Sequence, residues 1–118
     1  MSGAPSRLKI SRPDGVCQVE FSDRKILDEL CIAELQDELI RLVDGEQSVR
    51  LLLSFANVEH LSSAALGMLI TLNKKVQASK GTLKLSDIKP QILEVFKITR
   101  LNKVFDIHPD AKAAIASF

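Results

Sequence analysis

Two adjacent serines, Ser62 and Ser63, stand just after His60. Hydroxyls in such a place have three chemical uses. A serine near a histidine can be a nucleophile beside its base. A serine at a helix start can cap backbone N–H groups. It can also accept a phosphoryl group, which those N–H groups and the positive end of the helix dipole then stabilise. The first use requires a third group to orient the base, and the sequence reveals none. Cys31 with His108 meets the same objection, and the chain holds only two histidines. His60 and His108 read as loop residues. Asp23, Asp28 and Glu59 match no metal-binding loop and read as solvated acids. The five glycines, at positions 3, 15, 45, 67 and 81, are isolated and make no phosphate-cradling loop. No catalytic residue, metal ligand or cofactor site is therefore expected, and ATP for any phosphorylation would come with a partner.

The chain has 118 residues, 46% hydrophobic and 26% charged, which suits one globular domain rather than a disordered or fibrous chain. A net charge of +1 gives no electrostatic case for nucleic-acid binding. With no Trp, no Tyr and scattered Phe there is no stacking platform for single strands. No apolar run is long enough to span a membrane, and the first residues lack a signal-peptide core. The expectation is a cytoplasmic protein with a tail over residues 1–6 and one domain over 7–118. Cys17 and Cys31 form neither a CxxC pair nor a zinc spacing and read as buried, reduced thiols.

The elements that must position the serines follow from periodicity. Leu8 and Ile10, then Val16, Gln18 and Glu20, alternate with their neighbours around Pro13-Asp14-Gly15, predicting a hairpin. Leu27, Cys31, Leu35, Leu39 and Leu42 recur at helical spacing until Gly45. Val49–Phe55 is an almost unbroken apolar run, which suits an inner strand buried on both faces. After Ser62-Ser63 the helical positions are Leu66, Leu69, Ile70, Leu72 and Val76. A strand over Thr82–Leu85 follows. Pro90 then opens a helix whose stripe is Ile92, Val95, Phe96 and Thr99. Val104–Ile107 reads as a short strand, and Pro109 opens a last helix with Ala111, Ile115 and Phe118 inward. Strands alternating with helices predict an α/β fold: a mixed four- to five-stranded sheet with about four helices, packed mainly on one side.

The run Phe55-Ala-Asn-Val-Glu-His-Leu-Ser-Ser-Ala-Ala-Leu-Gly67 resembles the signature of the STAS family, in which a buried strand and short loop lead into Asp/Ser-Ser/Thr-Ser/Ala-Gly-Leu-Gly at a helix start. The glycine-led strand from Gly81, the proline-led helix and Thr99-Arg100-Leu101 with Phe105, against a family turn of the form T-G-L-x-x-x-F, extend the resemblance over nearly the whole chain. Two residues depart from the signature: Ser62 replaces the usual acid, and Ala65 the usual glycine.

The resemblance implies an anti-sigma factor antagonist in a partner-switching cascade. Its partners would be an anti-sigma factor that is also a serine kinase, and a serine phosphatase. The phosphoacceptor maps to Ser63, with Ser62 as the runner-up and otherwise the cap. On a regular helix Ser63, Gly67, Thr71 and Lys74 share one face. With His60 and Ser62 they are the expected partner-binding residues. Gly67 costs a helix ~1 kcal/mol against Ala, so either a partner backbone approaches it or a neighbouring helix packs tightly there. The alternative function is a non-switching STAS scaffold in a signalling assembly, or one associated with a transporter.

Overall fold

The computed structural model describes residues 8–12, 15–22, 24–45 and 48–118. The expected tail, Pro13-Asp14 of the expected turn and Asp23 lie outside them. In chain order the elements begin with β1 (Leu8–Ser11), β2 (Cys17–Phe21), β3 (Lys25–Ile26), α1 (Glu29–Asp44), β4 (Arg50–Ser54) and β5 (His60–Leu61). There follow α2 (Ser63–Ala78), β6 (Thr82–Ser86), α3 (Pro90–Ile98), a 3₁₀ turn (Leu101–Lys103), β7 (Asp106–His108) and α4 (Ala111–Ser117).

The main sheet has five strands in the order β1-β2-β4-β6-β7. β1 and β2 are antiparallel, which is the predicted hairpin; every other neighbouring pair is parallel. The second sheet is small: β3 lies parallel to β5, with Ile26 opposite Leu61. Pleating sends alternate side chains to opposite faces. Cys17, Val19, Phe21, Leu51, Leu53, Leu83 and Leu85 point into the large core, where α1, α2 and α3 bury their apolar stripes. Val16 and Leu52 point the other way and meet Ala114 of α4. Both faces of β4 are thus covered, as the run Val49–Phe55 requires, although Arg50 is exposed.

Several expectations need correction. Leu27 precedes α1 and is exposed, because the chain there is still leaving β3; the buried stripe of α1 is Cys31, Ile32, Leu35, Leu39 and Val43. Thr99 is not on the buried stripe of α3. It is the exposed C-cap, and its hydroxyl donates to the Val95 carbonyl at 2.8 Å. Val104 belongs to the 3₁₀ region, so β7 starts only at Asp106. The cap of α4 is Asp110, whose carboxylate accepts from Ala113 N–H at 2.8 Å; Ala114 is the fully buried residue of the helix, and Ala111, Ile115 and Phe118 pack partly buried beside it, inward as expected.

Candidate functional site

β4 ends at Ser54, and the chain turns through Ala56-Asn57 before pairing β5 with β3. Asn57 donates its side-chain N–H to the Phe21 carbonyl at 3.2 Å, and the Ser62 N–H donates to the Ile26 carbonyl at 3.1 Å. These bonds fix the direction in which the chain enters α2. Ser62 is extended, with φ −88° and ψ 168°, and its Oγ accepts the Ala65 N–H at 3.1 Å. Ser62 is therefore the N-cap, half-buried and committed to the backbone.

Ser63 comes one residue later, at the first helical position, and is exposed. Its hydroxyl has no hydrogen-bond partner among the described residues. No acidic side chain stands in the first turn of α2, so the helix dipole there is unopposed by any carboxylate of its own helix. Gly67, Thr71 and Lys74 are all exposed and continue the same face, while Leu69, Leu72 and Val76 are buried opposite. A Cβ built on Gly67 would meet nothing within 4 Å. Tight packing against a neighbouring helix is thereby overturned as the reason for that glycine.

His60 is exposed as expected, but it sits in β5 rather than in a loop, opposite Lys25. Beside it Glu59 forms an ion pair with Arg24 at 3.7 Å. Sequence reasoning missed β3 and β5, which are two residues each and too short to show a period. The parallel pairing brings the start of α1, where Leu27 and Leu30 are exposed, to the same side of the small sheet as the start of α2.

His108 is likewise no loop residue. It lies in β7, and its Nε2 is 3.0 Å from Asp106 Oδ1 and 3.2 Å from Ser117 Oγ. The Ser117 hydroxyl donates to the Ala114 carbonyl at 2.8 Å, so its oxygen is left to accept a proton from Nε2. A catalytic triad would need the acid and the serine on opposite ring nitrogens, whereas here both face one. This cluster is a clasp between β7 and α4, continued by Lys84, which bonds Asp106 and lies over the Phe118 ring at 5.2 Å. The alternation of Asp106 and His108 along one strand face was its sequence signal. Cys31 is buried in the α1 core while His108 faces α4 across the sheet, so they form no thiol site. Among the described residues no three His, Cys, Asp or Glu side chains cluster as metal ligands. No helix among them is long and apolar enough to cross a membrane.

Residues 8–114 match the family described as STAS domain. BtrV of Bordetella bronchiseptica, assigned as an anti-sigma factor antagonist, is 33% identical over 86 residues, 72% of either chain. The anti-sigma-B factor antagonist of Bacillus subtilis is 27% identical over 81 residues, 69% of this chain and 72% of that one. Among solved structures, an anti-sigma-factor antagonist (STAS) domain protein of Planctomyces limnophilus superposes with a TM-score of 0.83 at 18% identity, covering 96% of this chain and 98% of that one.

Proposed function

The chain belongs to the STAS domain family, and from that premise we propose that it is an anti-sigma factor antagonist switched by phosphorylation of Ser63. In this reading its unphosphorylated form binds an anti-sigma factor with serine kinase activity and so releases a sigma factor. Phosphorylation ends the binding, and a serine phosphatase restores it. The chain itself is a binding module, not an enzyme: the partner brings ATP. Its place is the cytoplasm, where sigma factors act, and its functional unit is residues 7–118.

The observation that carries the proposal is the division of labour between the serines. Ser62 holds the cap, which leaves the Ser63 hydroxyl exposed and unengaged at the helix start. A phosphate there gains roughly 0.3–1 kcal/mol from the dipole and the free N–H groups, so the fold tolerates it. A partner pressed on the face of Ser63, Gly67, Thr71 and Lys74 would instead meet about −1.5 to −2 of new, hydrated charge. Open space at Gly67 lets a partner backbone come close. His60 and Ser62 border that face.

The test is to incubate the protein with ATP and each ATPase-type anti-sigma factor of its own genome, then to locate phosphate by peptide mass spectrometry. Phosphate is expected on Ser63. Ser63→Ala should stay unmodified and bound, whereas Ser63→Asp should fold and bind much more weakly. Phosphate on Ser62 would move the switch by one residue. Phosphate on neither serine, with equal binding by both variants, would favour the non-switching scaffold.

A further inference from the structure

We infer that the surface formed by Lys97, Ile98, Arg100, Lys103 and Val104 docks, head to tail, on the Leu27–Leu30 surface of a second copy of this chain. Five large hydrophobic residues are exposed among the described ones, and four of them fall in these two patches. Ile98 is 79% exposed and Val104 52%; Leu27 is 49% exposed and Leu30 65%. Single exposed apolar residues are ordinary, whereas contiguous ones with a polar rim mark interaction sites; Leu27 and Leu30 bracket the start of α1, and Ile98 and Val104 bracket the 3₁₀ turn.

The two rims have opposite sign. Around Ile98 and Val104 stand Lys97, Arg100 and Lys103, all exposed. Lys97 reaches Glu94 only at 4.0 Å, and neither Arg100 nor Lys103 has a carboxylate partner among the described residues. Between Leu27 and Leu30 stand Asp28 and Glu29, both exposed. Asp28 makes no side-chain cap bond, although it occupies the N-cap of α1. Helix dipoles explain acids at the start of α1 and Lys97 at the end of α3. They do not explain the aliphatic side chains between those charges.

The patches cannot meet within one molecule. α1 and α3 both run back against the parallel strands, and one patch is at the start of α1 while the other is past the end of α3. They therefore lie toward opposite ends of the sheet. Because two different surfaces would join, the contact is heterologous, and repetition gives open chains or closed rings. Exposed charge rims are weak and salt-sensitive, so association belongs at high protein concentration. The inference goes beyond the Ser63 switch and does not rest on it.

Sedimentation velocity on the full chain, from dilute protein up to about 1 mM, tests the inference at low and high salt. The average mass should climb past that of two protomers at low salt and drop at high salt. The double variants Ile98→Ser/Lys103→Glu and Leu30→Ser/Glu29→Lys each spoil one surface. Each should stay folded and monomeric alone, although Glu29→Lys sets a cation against the dipole at the start of α1 and that variant should melt slightly earlier than the parent. Mixed in equal amounts, they should form a species of two protomers and nothing larger, since one intact surface of each kind remains. A parent that stays monomeric throughout would overturn the inference, as would a variant that still dimerises alone. A monomeric parent that pellets with phosphatidylserine vesicles would assign the basic patch to anionic lipid instead.

Discussion

Ser62 Oγ accepts the Ala65 N–H at 3.1 Å, and that one bond separates the roles of two neighbouring serines. Removing it should cost stability without touching the Ser63 hydroxyl, the proposed phosphoacceptor. Ser62→Ala is expected to lose about 0.5–2 kcal/mol, read by urea denaturation. Phosphorylation of Ser63 by a cognate kinase should persist in the variant. A variant as stable as the parent would mean that the cap bond is not formed in solution.

Two glycines make opposite predictions. At Gly67 an added Cβ meets open space, so Gly67→Ala should gain up to about 1 kcal/mol from helix propensity alone. If a partner backbone rests there, the same variant should bind that partner more weakly while melting later. At Gly81 an added Cβ would stand 2.6 Å from the Val49 carbonyl oxygen and 3.0 Å from the Val49 backbone nitrogen. Backbone cannot swing aside as a flexible side chain can, so Gly81→Ala should lose roughly 1–3 kcal/mol. Thermal melts that move in the same direction for both variants would contradict this contrast.

Phe96 is fully buried and links two rings: its centroid is 6.4 Å from that of Phe55 and 6.0 Å from that of Phe105. Phe55 continues the chain of rings to Phe21 at 5.0 Å. Phe96→Ala should therefore cost about 3–5 kcal/mol, a large share of the ~5–15 kcal/mol typical of a whole domain. An unchanged thermal melt would show that α3 is not anchored by this ring.

How much was legible depended on the length of the signal. The longer elements could be read because each buries a repeating apolar set, such as Cys31, Leu35 and Leu39 on α1 or Leu66, Leu69, Leu72 and Val76 on α2. Ser63 was singled out by a family pattern alone, whereas its exposure beside a committed Ser62 came only from the fold. β3 and β5 were illegible because two residues show no period, and with them went the neighbourhood of Leu27 and Leu30. Leu27 itself misled, since it lies at helical spacing from Cys31 yet precedes the helix. Asp106 and His108 alternate on β7, but the Lys84–Asp106 contact escaped because it forms across β6 and β7, and sequence spacing does not report register.

Arg100 holds φ at 62°, in the left-handed region, between α3 and the 3₁₀ turn. The family turn resembled by Thr99-Arg100-Leu101 has glycine at this position, which adopts that conformation without a Cβ penalty. Arg100→Gly should thus raise stability by up to about 1 kcal/mol, even though glycine adds entropy to the unfolded chain. The measurement is a chemical denaturation midpoint at unchanged slope, and a lower midpoint would count against strain at Arg100.

Asp106 receives a bond from Lys84, a side chain only 9% exposed, and is also paired with His108. The Lys84 bond, aided by His108, holds the Asp106 carboxyl below its ordinary value despite some opposing desolvation. A carboxyl with a lowered folded-state pKa stabilises the fold fully only above its unfolded value, roughly 3.9. That contribution disappears as pH falls through the folded value. Asp106→Asn removes the titration and leaves the buried Lys84 with a weaker, uncharged acceptor. The parent should therefore melt above the variant at neutral pH, and the gap should narrow below about pH 4 as Asp106 in the parent is protonated. Because Asp106 is half exposed, solvent screens the pair and the gap should be modest. Melting curves taken from neutral pH down to about pH 3 decide the matter: a gap that stays constant over that range would show that the Lys84–Asp106 pair contributes nothing as a charge pair.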